Sequence, residues 1–344
     1  MRRPKDIDTA ANAPHSAAAA WSHCTGIAAR VGPEKAGAIL RGSQVAMAFD
    51  ALGDRWSAMV LREVFLGVNR FDDLIAATGA SRATLTGRLR SLVDEGILHR
   101  HPYSSGPVRY EYRLTRMGAD LYPTALMYWL WERRYGGRSA APAGLVHRTC
   151  GKPMMPLLRC RHCAGAIDIG NVRGELLADS EPRQARSGRQ YCLHVGNSGS
   201  SWREVDARQV HVIDVIGDRW TALVQAANYF GLHRYADIQT ALSIPSNTLA
   251  DRLRLLVRAG VFSRTAYQQR PKRYAYRLTE KGRALYLPAF TLHQWANKWL
   301  LRDRTATLRL VHRSCGHAAE GQVVCDQCQV ELRPSDVELR RGRA

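Results

Sequence analysis

The sequence predicts a mainly α fold with small β hairpins, α+β in class, built twice along one chain, each copy followed by a small Cys/His module. Three observations lead there. Gly53-Asp54-Arg55-Trp56 returns as Gly217-Asp218-Arg219-Trp220, a shift of 164 residues, and Arg88-Leu89-Arg90 and Arg113-Leu114-Thr115 return at the same shift as Arg252-Leu253-Arg254 and Arg277-Leu278-Thr279. Within each copy the apolar spacing changes from helical to alternating. After each copy stands one His and three Cys at fixed spacing. A repeat this long lies outside the 20–50 residue range of solenoids, so two tandem globular domains are expected.

Composition supports two cores and a polyanionic partner. The 344 residues are 45% hydrophobic, enough for two domains of ordinary size. Lys and Arg number 50 against 30 Asp and Glu, a net charge of +20, and a field of that sign draws nucleic acid. No apolar run reaches 18 residues, and Met1-Arg2-Arg3-Pro4 opens no secretory signal. The reading is therefore no membrane span and a cytoplasmic, nucleoid-associated location.

Residues 1–42 contain Pro4, Pro14 and an Ala17–Ala20 run without apolar period, and are expected to be disordered or loosely packed. The first domain is read over 43–138. Ser43 is a plausible cap for a helix to about Leu52. Trp56, Val60, Leu61 and Val64 give a second apolar face, with Trp56 and Trp220 as packing anchors. A short helix from Phe71 stops at Gly79, and Ser81 caps a third whose Leu85, Leu89 and Leu92 share one face. Leu249, Leu253 and Leu256 repeat that face. Two short helices around a tight turn outline a helix-turn-helix.

Each is followed by a hairpin: Ile97–Arg100 and Val108–Tyr112 around Ser104-Ser105-Gly106-Pro107, and Val261–Tyr267 and Lys272–Leu278 around Gln268–Pro271. Such a hairpin is a wing. Thr115 and Thr279 then cap one long aromatic helix in each copy, through Leu126 and Trp131 and through Phe290, Trp295 and Trp299. The second domain is read over 202–303, after a linker over 179–201.

The ordered set, Gly-Asp-Arg-Trp, the Leu-x-x-Arg-Leu-x-x-Leu segment, the Arg-Tyr-x-Tyr-x-Leu-Thr strand and the aromatic last helix, resembles the HxlR-type winged helix-turn-helix regulators, here duplicated in tandem. The likeness runs roughly over 44–135 and 208–299. It implies a bacterial transcriptional regulator, with repression as the expected direction, that inserts a recognition helix into the DNA major groove and pairs through its terminal helices. The two copies are expected either to pair within one chain or to form a homodimer with a second.

With the leucines inward, the first recognition helix turns Arg82, Thr86 and Arg90 outward and sets Arg88 on a flank. A cation at a helix N-terminus opposes the macrodipole by ~0.3–1 kcal/mol, so Arg82 suggests an anionic or guanine partner. The second copy offers Ser246, Asn247 and Asp251 instead, which suit adenine and cytosine edges. The predicted operator therefore has unequal half-sites. Arg88, Arg90, Arg252 and Arg254 are assigned to phosphates. Arg109 stands nearly alone on the first wing, while Arg270, Lys272 and Arg273 crowd the second.

The modules, read over 139–178 and 304–344, carry His147-x2-Cys150-x9-Cys160-x2-Cys163 and His312-x2-Cys315-x9-Cys325-x2-Cys328. Each spacing suits a tetrahedral Zn²⁺ with four protein ligands and no open position, hence two structural sites. Disulfides are the alternative; a reducing compartment disfavours them. His162 and His317 lie near the ligands without occupying repeated positions. A zinc deaminase needs His-x-Glu, but Arg148-Thr149 and Arg313-Ser314 follow the histidines, so no enzyme is read. Some members of the resembled family sense oxidants through an N-terminal cysteine, so the resemblance implies a redox-sensing role for Cys24 or Cys192, with an inert thiol as the alternative. A protein-interaction adaptor that binds partners through its winged helices and Cys/His modules is the other class of function left open.

Overall fold

The computed structural model describes residues 26–106, 108–136, 144–177, 212–301 and 306–340; the expected linker, Cys24 and Cys192 fall outside these ranges. The first repeat runs α1 (Gly26–Arg41), α2 (Gln44–Leu52), α3 (Arg55–Phe65), α4 (Phe71–Thr78), α5 (Arg82–Asp94), β1 (Leu98–Ser105), β2 (Val108–Leu114), α6 (Arg116–Ala119) and α7 (Tyr122–Tyr135). The second runs α8 (Val212–Ile216), α9 (Arg219–Tyr229), α10 (Tyr235–Leu242), α11 (Ser246–Arg258), β7 (Phe262–Gln269), β8 (Lys272–Leu278), α12 (Glu280–Arg283) and α13 (Tyr286–Trp299). Between and after them lie β3 (Gly144–His147), β4 (Lys152–Met154), β5 (Pro156–Cys160), β6 (Val172–Leu176), β9 (Leu308–His312), β10 (Gly321–Cys325) and β11 (Val337–Arg340).

Local chemistry sets the helix ends. Ser43 accepts from the Ala46 amide and Ser81 from the Thr84 amide, each satisfying a donor that its helix leaves free. Asp54 caps α3 and Asp218 caps α9, so the recurring Gly-Asp-Arg-Trp motif is a helix start. The helix-turn-helix corner needs a left-handed residue. Gly79 supplies it in the first copy at φ 68°, and Ser243 takes the same conformation at φ 50° in the second.

Two elements differ from the sequence expectation. The single long helix expected after each Thr cap is split, because Leu121 bonds back to the Gly118 carbonyl, a tight i to i−3 closure, before α7 begins with Pro123 in its first turn. Leu285 makes the equivalent bond to Gly282. Residues 26–41, expected to be loose, form α1, kinked at Gly32 ahead of Pro33. This helix buries Ile27, Ala36, Ile39 and Leu40, the large ones worth roughly 1.5–3 kcal/mol each. It packs on α10 of the other repeat, so closely that Gly37 leaves no room for a Cβ beside the Ala241 carbonyl. The Gly-Pro interruption breaks the apolar period that would have announced it.

The repeats pair with each other through reciprocal contacts. The Trp131 indole N–H donates to the Lys281 carbonyl at 2.9 Å, and its counterpart Trp295 donates to Met117 at 2.8 Å. Residue i meets j and the copy of j meets the copy of i, which is the signature of a two-fold interface. Trp131 is buried in the core of the second repeat, and Leu292, Trp295 and Ala296 in that of the first.

The modules obey the same axis at a shift of 165 residues, His147 to His312. Strand β3 pairs with β11 and its copy β9 pairs with β6, all antiparallel. Strand β5 pairs with its own copy β10, with Leu158 opposite its counterpart Val323. The axis therefore passes through that pair, over a core to which α7 gives Leu126 and Met127 and α13 gives Tyr286 and Phe290.

Candidate nucleic-acid interface and metal centres

The first recognition helix, α5, is held by the leucine face that the sequence predicts: Leu85, Leu89 and Leu92 are fully buried, as are Leu249 and Leu256 on α11, with Leu253 nearly so. Arg82, Thr86 and Arg90 are exposed on α5; Ser246, Asn247, Asp251 and Arg254 are exposed on α11. Some of these already have partners. Arg82 pairs with Asp72 at 2.9 Å, both well exposed, and Arg254 pairs with Asp251 at 2.5 Å one helical turn away. Exposed pairs of this kind contribute at most ~1 kcal/mol. The Asn247 side chain accepts from the Thr248 amide, and the Ser246 carbonyl accepts from the Tyr235 hydroxyl.

Arg88 and Arg252, assigned to phosphates from the sequence, are placed differently. Arg88 reaches Asp54 at 2.5 Å and Arg252 reaches Asp218 at 3.0 Å, with all four side chains largely covered. Each carboxylate thus caps one helix and clamps the recognition helix to it. Helical periodicity places these arginines on a flank but cannot show that an acid from 34 residues upstream waits there.

Both wings are antiparallel hairpins with a register shift near the tip, between Pro102 and Ser104 and between Ala266 and Gln268. Arg109, Arg270, Lys272 and Arg273 are exposed on them. Sequence reasoning missed the joint between wing and helix-turn-helix. Arg70 lies over the Tyr103 ring at 4.6 Å, and its copy Arg234 lies over Tyr267 at 4.8 Å. Their recurrence at the common shift was the available signal. Lys272 and Arg264 both sit against Tyr274, at 5.6 and 4.4 Å.

The eight metal-ligating candidates come together as two groups of four, but not in the groups that the sequence suggests. His147 and Cys150 meet Cys325 and Cys328, while Cys160 and Cys163 meet His312 and Cys315. Each group therefore takes half its members from each module. The cause is the antiparallel β5–β10 pair, which sets Cys160 opposite Gly321 and Cys325 opposite Pro156 and so carries each Cys-x-x-Cys knuckle to the other module's His-x-x-Cys. Identical spacing in both copies makes the exchange invisible to sequence.

The donor sets fit a tetrahedral ion. With metal–sulfur distances of ~2.3 Å and metal–nitrogen of ~2.0–2.1 Å, tetrahedral edges are about 3.8 Å between sulfurs and about 3.6 Å from sulfur to nitrogen. Cys150 and Cys325 sulfurs lie 4.0 Å apart, and Cys160 and Cys315 3.9 Å. His147 Nδ1 lies 3.5 Å from Cys150 and 3.2 Å from Cys328; His312 Nδ1 lies 3.4 Å from both Cys163 and Cys315. A disulfide would need ~2.05 Å, and all six cysteines are free thiols. The His312 Nε2–H donates to the Ala166 carbonyl at 3.1 Å, which leaves Nδ1 bare toward the thiols. Backbone N–H donation from His317, then the His312 side chain, lowers the Cys315 thiol to about 6, whereas burial pushes Cys325 up to about 11. His162 and His317 stand outside both groups and stack on each other at 4.7 Å.

Two buried-leucine recognition helices, each with an anchored wing and paired about one axis, define a winged helix-turn-helix DNA-binding architecture. The HxlR-like helix-turn-helix family matches residues 51–140 and 215–304, and the chain belongs to that family, carrying its domain twice. An uncharacterised HTH-type transcriptional regulator of Mycobacterium tuberculosis is 43% identical over 135 residues, 39% of this chain and 85% of its own length. The regulator YvaP of Bacillus subtilis, likewise uncharacterised, is 32% identical over 98 residues, 28% of this chain and 91% of its own. Among solved structures, that of PA1607 aligns at 30% identity with a TM-score of 0.32, covering 41% of this chain and 93% of its own. No helix among the described residues is long and apolar enough to cross a membrane.

Proposed function

We propose that the chain is a DNA-binding transcriptional regulator in which one polypeptide does the work of a dimer, presenting two non-identical recognition helices to an operator with unequal half-sites. The observation that carries this is the combination of a reciprocal interface, Trp131 to Lys281 and Trp295 to Met117, with diverged reading faces. A homodimer must present one face twice; this chain does not. Arg82 and Thr86 read one half-site, and Ser246, Asn247 and Asp251 read the other. Arg90, Arg254 and the wing cations Arg109, Arg270, Lys272 and Arg273 hold phosphates.

Zinc in the two shared Cys₃His groups serves structure. Four protein ligands leave no position for substrate, and each ion would tie one module to the other. Repression, which needs only tight occupancy of a promoter, is the direction we infer. Selection from a random DNA pool tests the reading. Enriched sites with two dissimilar halves support it, and a perfect palindrome recovered at the spacing of the two helices contradicts it.

A further inference from the structure

Between the repeats lies a cavity of about 100 Å³, where by the same measure one water needs roughly 10–15 Å³. Its walls come from both copies: Ile27 and Phe49 of the first, Tyr229, Phe290 and His293 of the second, and Tyr128 of α7. No Asp, Glu, Lys or Arg lines it. Space for a six-membered ring, aromatic walls and no fixed charge select an uncharged aromatic occupant.

The polar groups here are where the two copies part. At the common shift of 164, Phe65 of the first copy becomes Tyr229 and Trp129 becomes His293. The ring packing is kept: Phe65 sits 5.7 Å from Tyr122, and Tyr229 sits 5.4 Å from Tyr286. The second copy thus adds a hydroxyl, itself covered, to a half-buried ring position that folds without one in the first. Among the described residues that hydroxyl has no hydrogen-bond partner. His293 is 6% exposed, and burial lowers its imidazole to about 4, so it is neutral, with one ring nitrogen able to donate a hydrogen bond and the other to accept one. An unpaired covered hydroxyl such as that of Tyr229 costs stability and is expected to have a partner.

We propose that this cavity binds a small phenol, an uncharged monocyclic aromatic with one hydroxyl, its ring against Phe49 and Phe290 and its hydroxyl bonded to Tyr229 or His293. Because the walls belong to both repeats, an occupant would bear on how the two recognition helices are set relative to each other. Calorimetric titration of the full chain, without DNA, with phenol and with toluene as the probe lacking a hydroxyl, tests the site independently of operator binding. Phenol should bind saturably at one per chain and roughly tenfold more tightly than toluene, the value of one retained hydrogen bond. Tyr229→Phe combined with His293→Leu should erase that preference without abolishing toluene binding, and Ala289→Trp should block both probes. Phenol-dependent thermal stabilisation of the unaltered chain reads the same site should a variant fail to fold. Absence of saturable phenol binding, or equal affinity for the two probes, overturns the proposal.

Discussion

Exchange of ligands between the modules makes a prediction that separates the structure from the simplest reading of the sequence. Two double variants suffice. Cys150→Ser with Cys328→Ser removes two thiolates from one observed group, but one from each of the sequential signatures. Cys150→Ser with Cys160→Ser removes one from each observed group, but two from the first signature. A structural zinc site is worth about 10–16 kcal/mol in all, so each of four ligands carries roughly 3–4 kcal/mol, a loss of two to three powers of ten in affinity. Against a chelator that holds free zinc about one decade above the unaltered Kd, an intact site stays roughly nine-tenths full and a site lacking even one thiolate is roughly nine-tenths or more empty. The unaltered chain should retain two zinc ions, the 150/328 variant one and the 150/160 variant none, measured by elemental analysis after dialysis. The reverse order, none for 150/328 and one for 150/160, would falsify the shared arrangement and restore a local site in each module.

Further outcomes follow from the scaffold. Arg88→Ala and Arg252→Ala should each lower stability, by ~3 kcal/mol at the upper end for a partly covered pair that leaves a carboxylate uncompensated, and leave the salt dependence of DNA binding almost unchanged. Arg90→Ala and Arg254→Ala should do the opposite, each flattening the salt slope by about one phosphate's worth with little change in the denaturation midpoint. Ser243→Gly should stabilise the chain by about 0.5–1 kcal/mol in denaturant unfolding, because Ser243 holds the left-handed conformation that Gly79 holds in the first copy. A neutral or destabilising effect there would mean that the serine side chain contributes something that its backbone conformation conceals.

How much was legible in the sequence depended on whether the signal was local. Caps, turns and leucine faces are local, and Ser43, Ser81, Gly79 and the leucines of α5 and α11 stand where spacing put them. What escaped was relational. Arg88 looks like any outward arginine until Asp54 is brought beside it. The metal-ligating candidates were recognisable one by one, yet their grouping depends on strand pairing across an axis that identical spacings cannot reveal. Helix α1 hid behind Gly32-Pro33 and finds its apolar partner in α10, about 200 residues further on, where the Arg41 side chain also donates to the Ala241 carbonyl.

The Gly-Asp-Arg-Trp recurrence marks the joint of each scaffold: its Asp caps a helix and holds the recognition helix, and its Trp is half-buried against the core. Duplication kept those joints and freed the outward faces to diverge. The claim that one chain serves as its own dimer is tested most directly by the mass of its complex with a selected operator, by sedimentation or native mass spectrometry. One 38.4 kDa chain per duplex is the expected result; two chains per duplex, with both copies of one recognition helix on the DNA, would contradict it.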